Sequence, residues 1–148
     1  MSVDFAEKAR AYGRFFETIR PDNVEGIKGL VNNDVRFKDP FNDIRGVERL
    51  CRLLAKMFED ASDIAFTMEE QAGEGRVYFL RWRFTCEPRS RFVKGPWPID
   101  GVSMIRFSED GLVAEHIDYW DAAEQVFSRL PLLGSVQRLA RRPLALRD

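Results

Sequence analysis

The chain is poor in the residues that build metal centres and disulfide frameworks: it has one histidine and two cysteines in 148 residues. One imidazole among scattered carboxylates makes no ligand cluster, and Cys51 and Cys86 show no metal spacing. No metal and no other cofactor is expected. The two cysteines read as free thiols of a reducing compartment, with pairing left open. A net charge of −1 supplies no global field for nucleic acid or an anionic membrane, so neither is an expected partner. No apolar run approaches membrane-spanning length. Met1 to Arg10 carries Asp4 and Glu7 without an apolar core, which argues against a secretory leader and for a cytoplasmic protein.

What is present is an ordinary globular composition, 45% hydrophobic and 32% charged, too apolar for disorder. The length fits one domain, residues 1–148, able to bury a core. Phe5, Tyr12, Phe15, Phe16 and Ile19 recur at helical spacing and predict a helix over Asp4 to Arg20, ended by Pro21. A short helix carries Val24, Ile27, Leu30 and Val31. Asn32-Asn33-Asp34 reads as a turn, Val35 and Phe37 as a short strand, and Phe41 to Gly46 as a loop. Val47, Leu50, Cys51, Leu54, Met57 and Phe58 form the apolar stripe of a third helix.

From Ile64 the period becomes two. Strands are expected at Ile64–Met68, Val77–Cys86, Gly101–Phe107 and Leu112–Trp120, with a hairpin turn at Ser108-Glu109-Asp110-Gly111. A helix over Ala122 to Leu130 follows, then a short helix from Pro131 and an arginine-rich tail that reads as a solvated end. Helices first and antiparallel strands afterwards predict an α+β domain. In the expected cone, a curved, mostly antiparallel mixed sheet holds the N-terminal helices on its concave face and leaves a cavity between them.

The run His116-Ile117-Asp118-Tyr119-Trp120-Asp121 carries the most chemistry. Strand alternation puts His116, Asp118 and Trp120 on one face and Val113, Ile117 and Tyr119 on the other. A carboxylate on a half-buried strand needs a partner, and His116 is placed to be that partner or a second acid–base group. Asp121 reads as a helix cap. In Tyr78 to Phe84, burial favours Tyr78, Leu80, Trp82 and Phe84 facing inward and Arg81 and Arg83 outward, since unpaired arginines in a cavity are costly. Trp97, between Pro96 and Pro98, is a rigid lid or a dimer contact. Leu130-Pro131-Leu132-Leu133-Gly134 caps the cone mouth or packs on a neighbour.

The element order, with Lys38-Asp39-Pro40-Phe41 and Asp118-Tyr119-Trp120-Asp121, resembles the nuclear transport factor 2-like superfamily over nearly the whole chain. Within it, the chain is most similar to the polyketide-cyclase (SnoaL-like) and ketosteroid-isomerase-like branch, and to limonene epoxide hydrolase at the last strand. The resemblance implies Asp39 as the isomerase-type general base before a proline. It implies Asp118 as the carboxylate that activates water in the hydrolase or acts as acid–base in the cyclases. The isomerase's oxyanion tyrosine falls on Phe15, with Tyr12 one turn away. Its second oxyanion group falls on Asp100 or on Ser103, depending on the anchor. The hydrolase's Arg-x-Asp pair falls on Arg81 and Arg83, and its water-holding Tyr and Asn on Phe37 and Asp39. Steroid isomerisation and epoxide hydrolysis by the family routes therefore lack support.

Two classes of function follow. In the first, a cofactor-independent isomerase, cyclase or hydrolase uses Asp39 or Asp118 as general base, with His116, on a small hydrophobic substrate. Phe15, Phe37, Phe41, Trp82, Phe84, Ser103 and Trp120 are the expected ligand-binding residues. In the second, the same pocket holds an apolar ligand or a protein partner without catalysis. The resemblance also implies a homodimer through the outer face of the sheet.

Overall fold

The computed structural model describes residues 2–146. It consists of helices and one six-stranded mixed sheet in the order β2-β1-β6-β5-β4-β3, an α+β architecture with an open sheet. Asp4 caps α1 (Phe5–Glu17) by accepting from the Glu7 amide, and Ala9, Tyr12, Gly13 and Phe16 form the buried face. A 3-10 turn, Val24–Gly29, leads into β1 (Val31–Lys38). β2 (Asp43–Arg45) and α2 (Val47–Asp60) follow, and α2 buries Val47, Leu50, Cys51 and Leu54. β3 (Ala61–Glu74), β4 (Val77–Pro88), β5 (Trp97–Phe107) and β6 (Val113–Tyr119) make the long side of the sheet. β1 and β6 are parallel; all other neighbours are antiparallel.

Both long helices pack on one face, α1 against β3 and β4 and α2 against β1, β2 and β3. The core between them contains Ile27, Val35, Leu50, Ile105 and Val113. The opposite face of the sheet carries Arg81, paired with Glu69 and Glu70, and Arg83, paired with Asp100. The inward placement of Leu80 and Trp82 agrees with the burial argument from sequence.

Several elements differ from the sequence reading. Asn32-Asn33-Asp34 lies inside β1 rather than in a turn. The ladder with β6 jumps from Val31↔Val113 to Arg36↔Glu115, so these polar residues sit at an interruption of the pairing. The 41–46 loop contains β2, and β3 begins at Ala61, with register shifts between Ser62 and Ala65 and between Met68 and Glu70 that blur its alternation. β5 begins at Trp97. Val113 points into the core, not outward with Ile117. The β5–β6 ladder steps from Arg106↔Glu115 to Phe107↔Val113, and the bulge at Ala114 inverts the faces beyond it.

The expected helix from Ala122 is the short α3 (Ala122–Gln125), capped by Asp121, and a 3-10 turn, Phe127–Arg129. α4 (Pro131–Arg141) is longer than expected and absorbs Arg138 and Arg141. It packs chiefly on the 127–129 turn, with Gly134 close to the Ser128 carbonyl and Leu132 and Leu139 exposed. Trp97 is buried, donates from Nε1 to the Gln125 carbonyl at 2.6 Å, and has the Arg129 guanidinium 5.2 Å above its ring. It thereby fastens the C-terminal segment to the sheet. Among the described residues, no helix is long and apolar enough to cross a membrane.

Candidate active site

Between the helices and the sheet lies a cavity of about 480 Å³. Its walls are apolar: Phe16 from α1, Leu54 and Met57 from α2, Phe66 from β3, Trp82 and Phe84 from β4. One group of polar residues, Tyr12, Ser103, His116 and Asp118, meets on its sheet side, where the register sets the last three close together. Asp118 is directly opposite Ser103 on β5, and His116 is flanked by Ile105 on β5 and Phe37 on β1.

These residues form one hydrogen-bonded chain. Trp82 Nε1 donates to Ser103 Oγ at 2.8 Å. Ser103 Oγ donates to Asp118 Oδ1 at 2.5 Å. His116 Nε2 lies 2.7 Å from the same Oδ1, and His116 Nδ1 lies 2.8 Å from Tyr12 Oη. Indole nitrogen is a donor only, so the single Ser103 hydroxyl proton is left for Asp118. Tyr12 is 1% exposed, and its hydroxyl has His116 Nδ1 as its partner. A buried hydroxyl that fails to donate is costly, so Nδ1 accepts and the imidazole proton resides on Nε2, facing Asp118. Burial, and then the negative charge of Asp118, hold the Tyr12 phenol well above the usual tyrosine range, which keeps it a donor.

Both protein donors thus converge on Oδ1. Asp118 lines the cavity, is 15% exposed at its side chain, and takes no hydrogen bond at Oδ2 from any described residue. Oδ2 is the oxygen left for a ligand. Trp82 can reach Ser103 because residue 101 is glycine. A Cβ there would stand 2.5 Å from the Trp82 ring, so only a bare backbone lets the indole lie across β5.

Asp39 lines the same cavity near its mouth but is engaged differently. Its Oδ1 accepts from the Phe41 and Asn42 amides at 2.8 and 2.7 Å, and the Asn42 side-chain amide reaches both oxygens at 3.0 and 3.1 Å. This is an Asx-type turn that shapes the β1–β2 loop. The loop carries Phe41, 55% exposed, whose ring meets Trp120 and Phe127 edge-on at 5.6 and 6.1 Å. Lys56 and Asp60, paired with each other, complete the rim.

Of the residues expected from sequence, Asp39, Asp118, His116, Phe37, Phe41, Trp82, Phe84, Ser103 and Trp120 all line this cavity. Phe15 does not. It is rotated off the inward face of α1 and packs over Gly26 of the 3-10 turn. Tyr12 and Phe16, one turn apart, take the inward positions. Of the alternatives Asp100 and Ser103, Ser103 is on the cavity side, and Asp100 is outside with Arg83. Sequence reasoning missed Tyr12 as the partner of His116; the spacing Ala9, Tyr12, Gly13, Phe16 was the available signal. Among the described residues, no group of three or more His, Cys, Asp or Glu side chains is placed to hold a metal ion.

The fold has many solved counterparts. A putative SnoaL-like polyketide cyclase from Jannaschia sp. CCS1 is 16% identical, with a TM-score of 0.71 over 84% of this chain and 92% of that one. An epoxide hydrolase of the limonene type from M. tuberculosis is 18% identical, with a TM-score of 0.66 over 91% and 96%. A protein of ketosteroid-isomerase-like fold from Catenulispora acidiphila, solved in complex with trimethylamine, is 12% identical, with a TM-score of 0.69 over 88% and 96%. At such identities the likeness is one of fold. No curated protein matches the sequence. The family model of the SnoaL-like domain matches residues 12–116, from the tyrosine of the hydrogen-bonded chain to its histidine, and the chain belongs to that family.

Proposed function

We propose that this is a small-molecule pocket protein in which Asp118 acts as general base on a hydrophobic substrate without a cofactor, taking a proton from the substrate in an isomerisation or cyclisation, or from the attacking water in a hydrolysis. The observation that carries the reading is the free Oδ2 of Asp118, held in place by Ser103 and His116 at Oδ1. A positioned carboxylate within reach of a substrate proton contributes about 10²–10⁴-fold by general base catalysis. His116 orients it, and Tyr12 orients His116. Asp39 supports the rim through its turn.

One observation favours non-catalytic binding as the second reading. The Tyr12 and Ser103 hydroxyls both donate within the protein, so neither is free to stabilise a developing oxyanion. A screen of hydrophobic ketones, epoxides and polyketide-like compounds, run on wild type, Asp118→Asn and Asp39→Asn, separates the two readings. The catalytic reading expects turnover that Asp118→Asn lowers by at least about 100-fold and Asp39→Asn leaves within about threefold. Binding without turnover of any compound contradicts it.

The outer face of the sheet supports a second copy as partner. Phe79, Met104 and Ile117 form an apolar row across β4, β5 and β6, with Tyr119 59% exposed beside it and arginines around it. Sedimentation is expected to show a dimer at micromolar concentration; a monomer contradicts this part of the proposal.

A further inference from the structure

We infer that the cavity selects an apolar molecule bearing a protonated amine, with Asp118 as its counter-ion. The inference rests on the pocket reading above and on Asp118 Oδ2 as its anchor, not on turnover. It follows from the charges the cavity presents. His116 carries one ring proton and is neutral, since its Nδ1 accepts from Tyr12. Lys56, the one ammonium on the lining, is held by both oxygens of Asp60 at 2.9 and 2.7 Å. Asp39 is tied into its own loop. What remains is one carboxylate oxygen without a hydrogen-bond partner, and among the described residues of this lining no cation is left unpaired.

Each class of ligand meets that oxygen differently. An anion would place a like charge beside Asp118 between apolar walls, where repulsion is less screened than in bulk water. A hydrocarbon would displace the water from Oδ2 and offer nothing in return, leaving a desolvated carboxylate. A neutral hydroxyl would offer a hydrogen bond without charge. An ammonium offers both, and charge-assisted bonds of this kind are about twice as strong as neutral ones. The walls add to the preference. Phe16, Phe37, Phe66, Trp82, Phe84 and Trp120 surround the space with aromatic rings, whose faces attract a cation.

Three probes with one carbon frame test this: 2-phenylethylammonium, propylbenzene and 3-phenylpropanoate, titrated near neutral pH against wild type and Asp118→Asn. Binding is read by quenching of tryptophan emission, since Trp82 and Trp120 line the cavity, and by calorimetry. The expected order is ammonium, then propylbenzene, then carboxylate, with at least about tenfold between the first two. In Asp118→Asn that preference collapses while propylbenzene still binds, which also shows that the variant is folded. If propylbenzene matches the ammonium on wild type, or the preference survives in Asp118→Asn, the inference is overturned and the pocket reading stands. If no probe binds wild type, both fall. The wild-type comparison decides the matter alone should Asp118→Asn not fold.

Discussion

Asp118 and Asp39 line one cavity and carry the same functional group, yet they are held in opposite ways. Asp118 is fixed by Ser103, opposite it on β5, and by His116, two residues back on its own strand β6, and these are in turn held by Trp82 on β4 and Tyr12 on α1. Asp39 is fixed by two residues that follow it closely, through the backbone amides of Phe41 and Asn42 and the side-chain amide of Asn42. A carboxylate bound by its own loop maintains the loop. A carboxylate held at one oxygen by side chains that are themselves tied to other elements keeps its second oxygen available. Position on a cavity wall therefore does not distinguish the two; the origin and number of their donors does.

The contrast predicts that remote substitutions disturb Asp118 and leave Asp39 alone. The largest effect is expected from Gly101→Ala. Its Cβ would fall 2.5 Å from the Trp82 ring, displacing the indole and breaking the bond to Ser103. Overpacking of this kind costs about 3 kcal/mol, to be measured by urea unfolding, and the tryptophan emission should shift with it. Unchanged stability and emission would mean that Trp82 does not hold Ser103.

Next comes Tyr12→Phe, which leaves His116 Nδ1 buried without its donor at a cost of about 1–2 kcal/mol. It also alters the alkaline limb of stability. The folded phenol titrates well above the usual value, so the unfolded chain releases this proton first as pH rises. The Tyr12 contribution is complete below about pH 10 and is lost as pH climbs from there toward the folded value. Part of the wild-type decline above about pH 10 should be missing in Tyr12→Phe. An identical decline in both proteins would break the assignment.

The smallest effect is expected from Asp39→Ala. It removes the acceptor of the Phe41 and Asn42 amides and costs about 1 kcal/mol, while probe affinity at Asp118 changes by less than about threefold. A loss of affinity as large as that of Asp118→Asn would erase the distinction between the two carboxylates.

Much of this was legible in the sequence, and the failures have physical causes. Strand alternation placed His116 and Asp118 on one face, and the cost of burying arginine turned Arg81 and Arg83 outward, as the structure has them. Alternation failed at Val113 because a bulge at Ala114 resets the faces, and nothing local in Val113-Ala114-Glu115 announces it. The Asn32-Asn33-Asp34 run has turn chemistry but is held in β1 by pairing with strands far along the chain. The resemblance to the isomerases pointed to Phe15, and the apolar period alone admits both Phe15 and Tyr12; only the small residues Ala9 and Gly13 on the Tyr12 side mark the face that packs inward. The bond from Trp82 to Ser103 depends on the register of β4 against β5 and on an absent Cβ at Gly101, neither of which composition or spacing reveals.

One proton decides which Asp118 oxygen is free. If the His116 ring proton is on Nε2, both protein donors meet at Asp118 Oδ1 and Oδ2 is left for the ligand. His116 is the only histidine in the chain, so its isotope-labelled ring nitrogens give an unambiguous magnetic-resonance reading of tautomer and charge. The expected spectrum is that of a ring protonated at Nε2 and unprotonated at Nδ1, with the Nδ1 signal shifting in Tyr12→Phe. A ring protonated at Nδ1, or at both nitrogens, would contradict it.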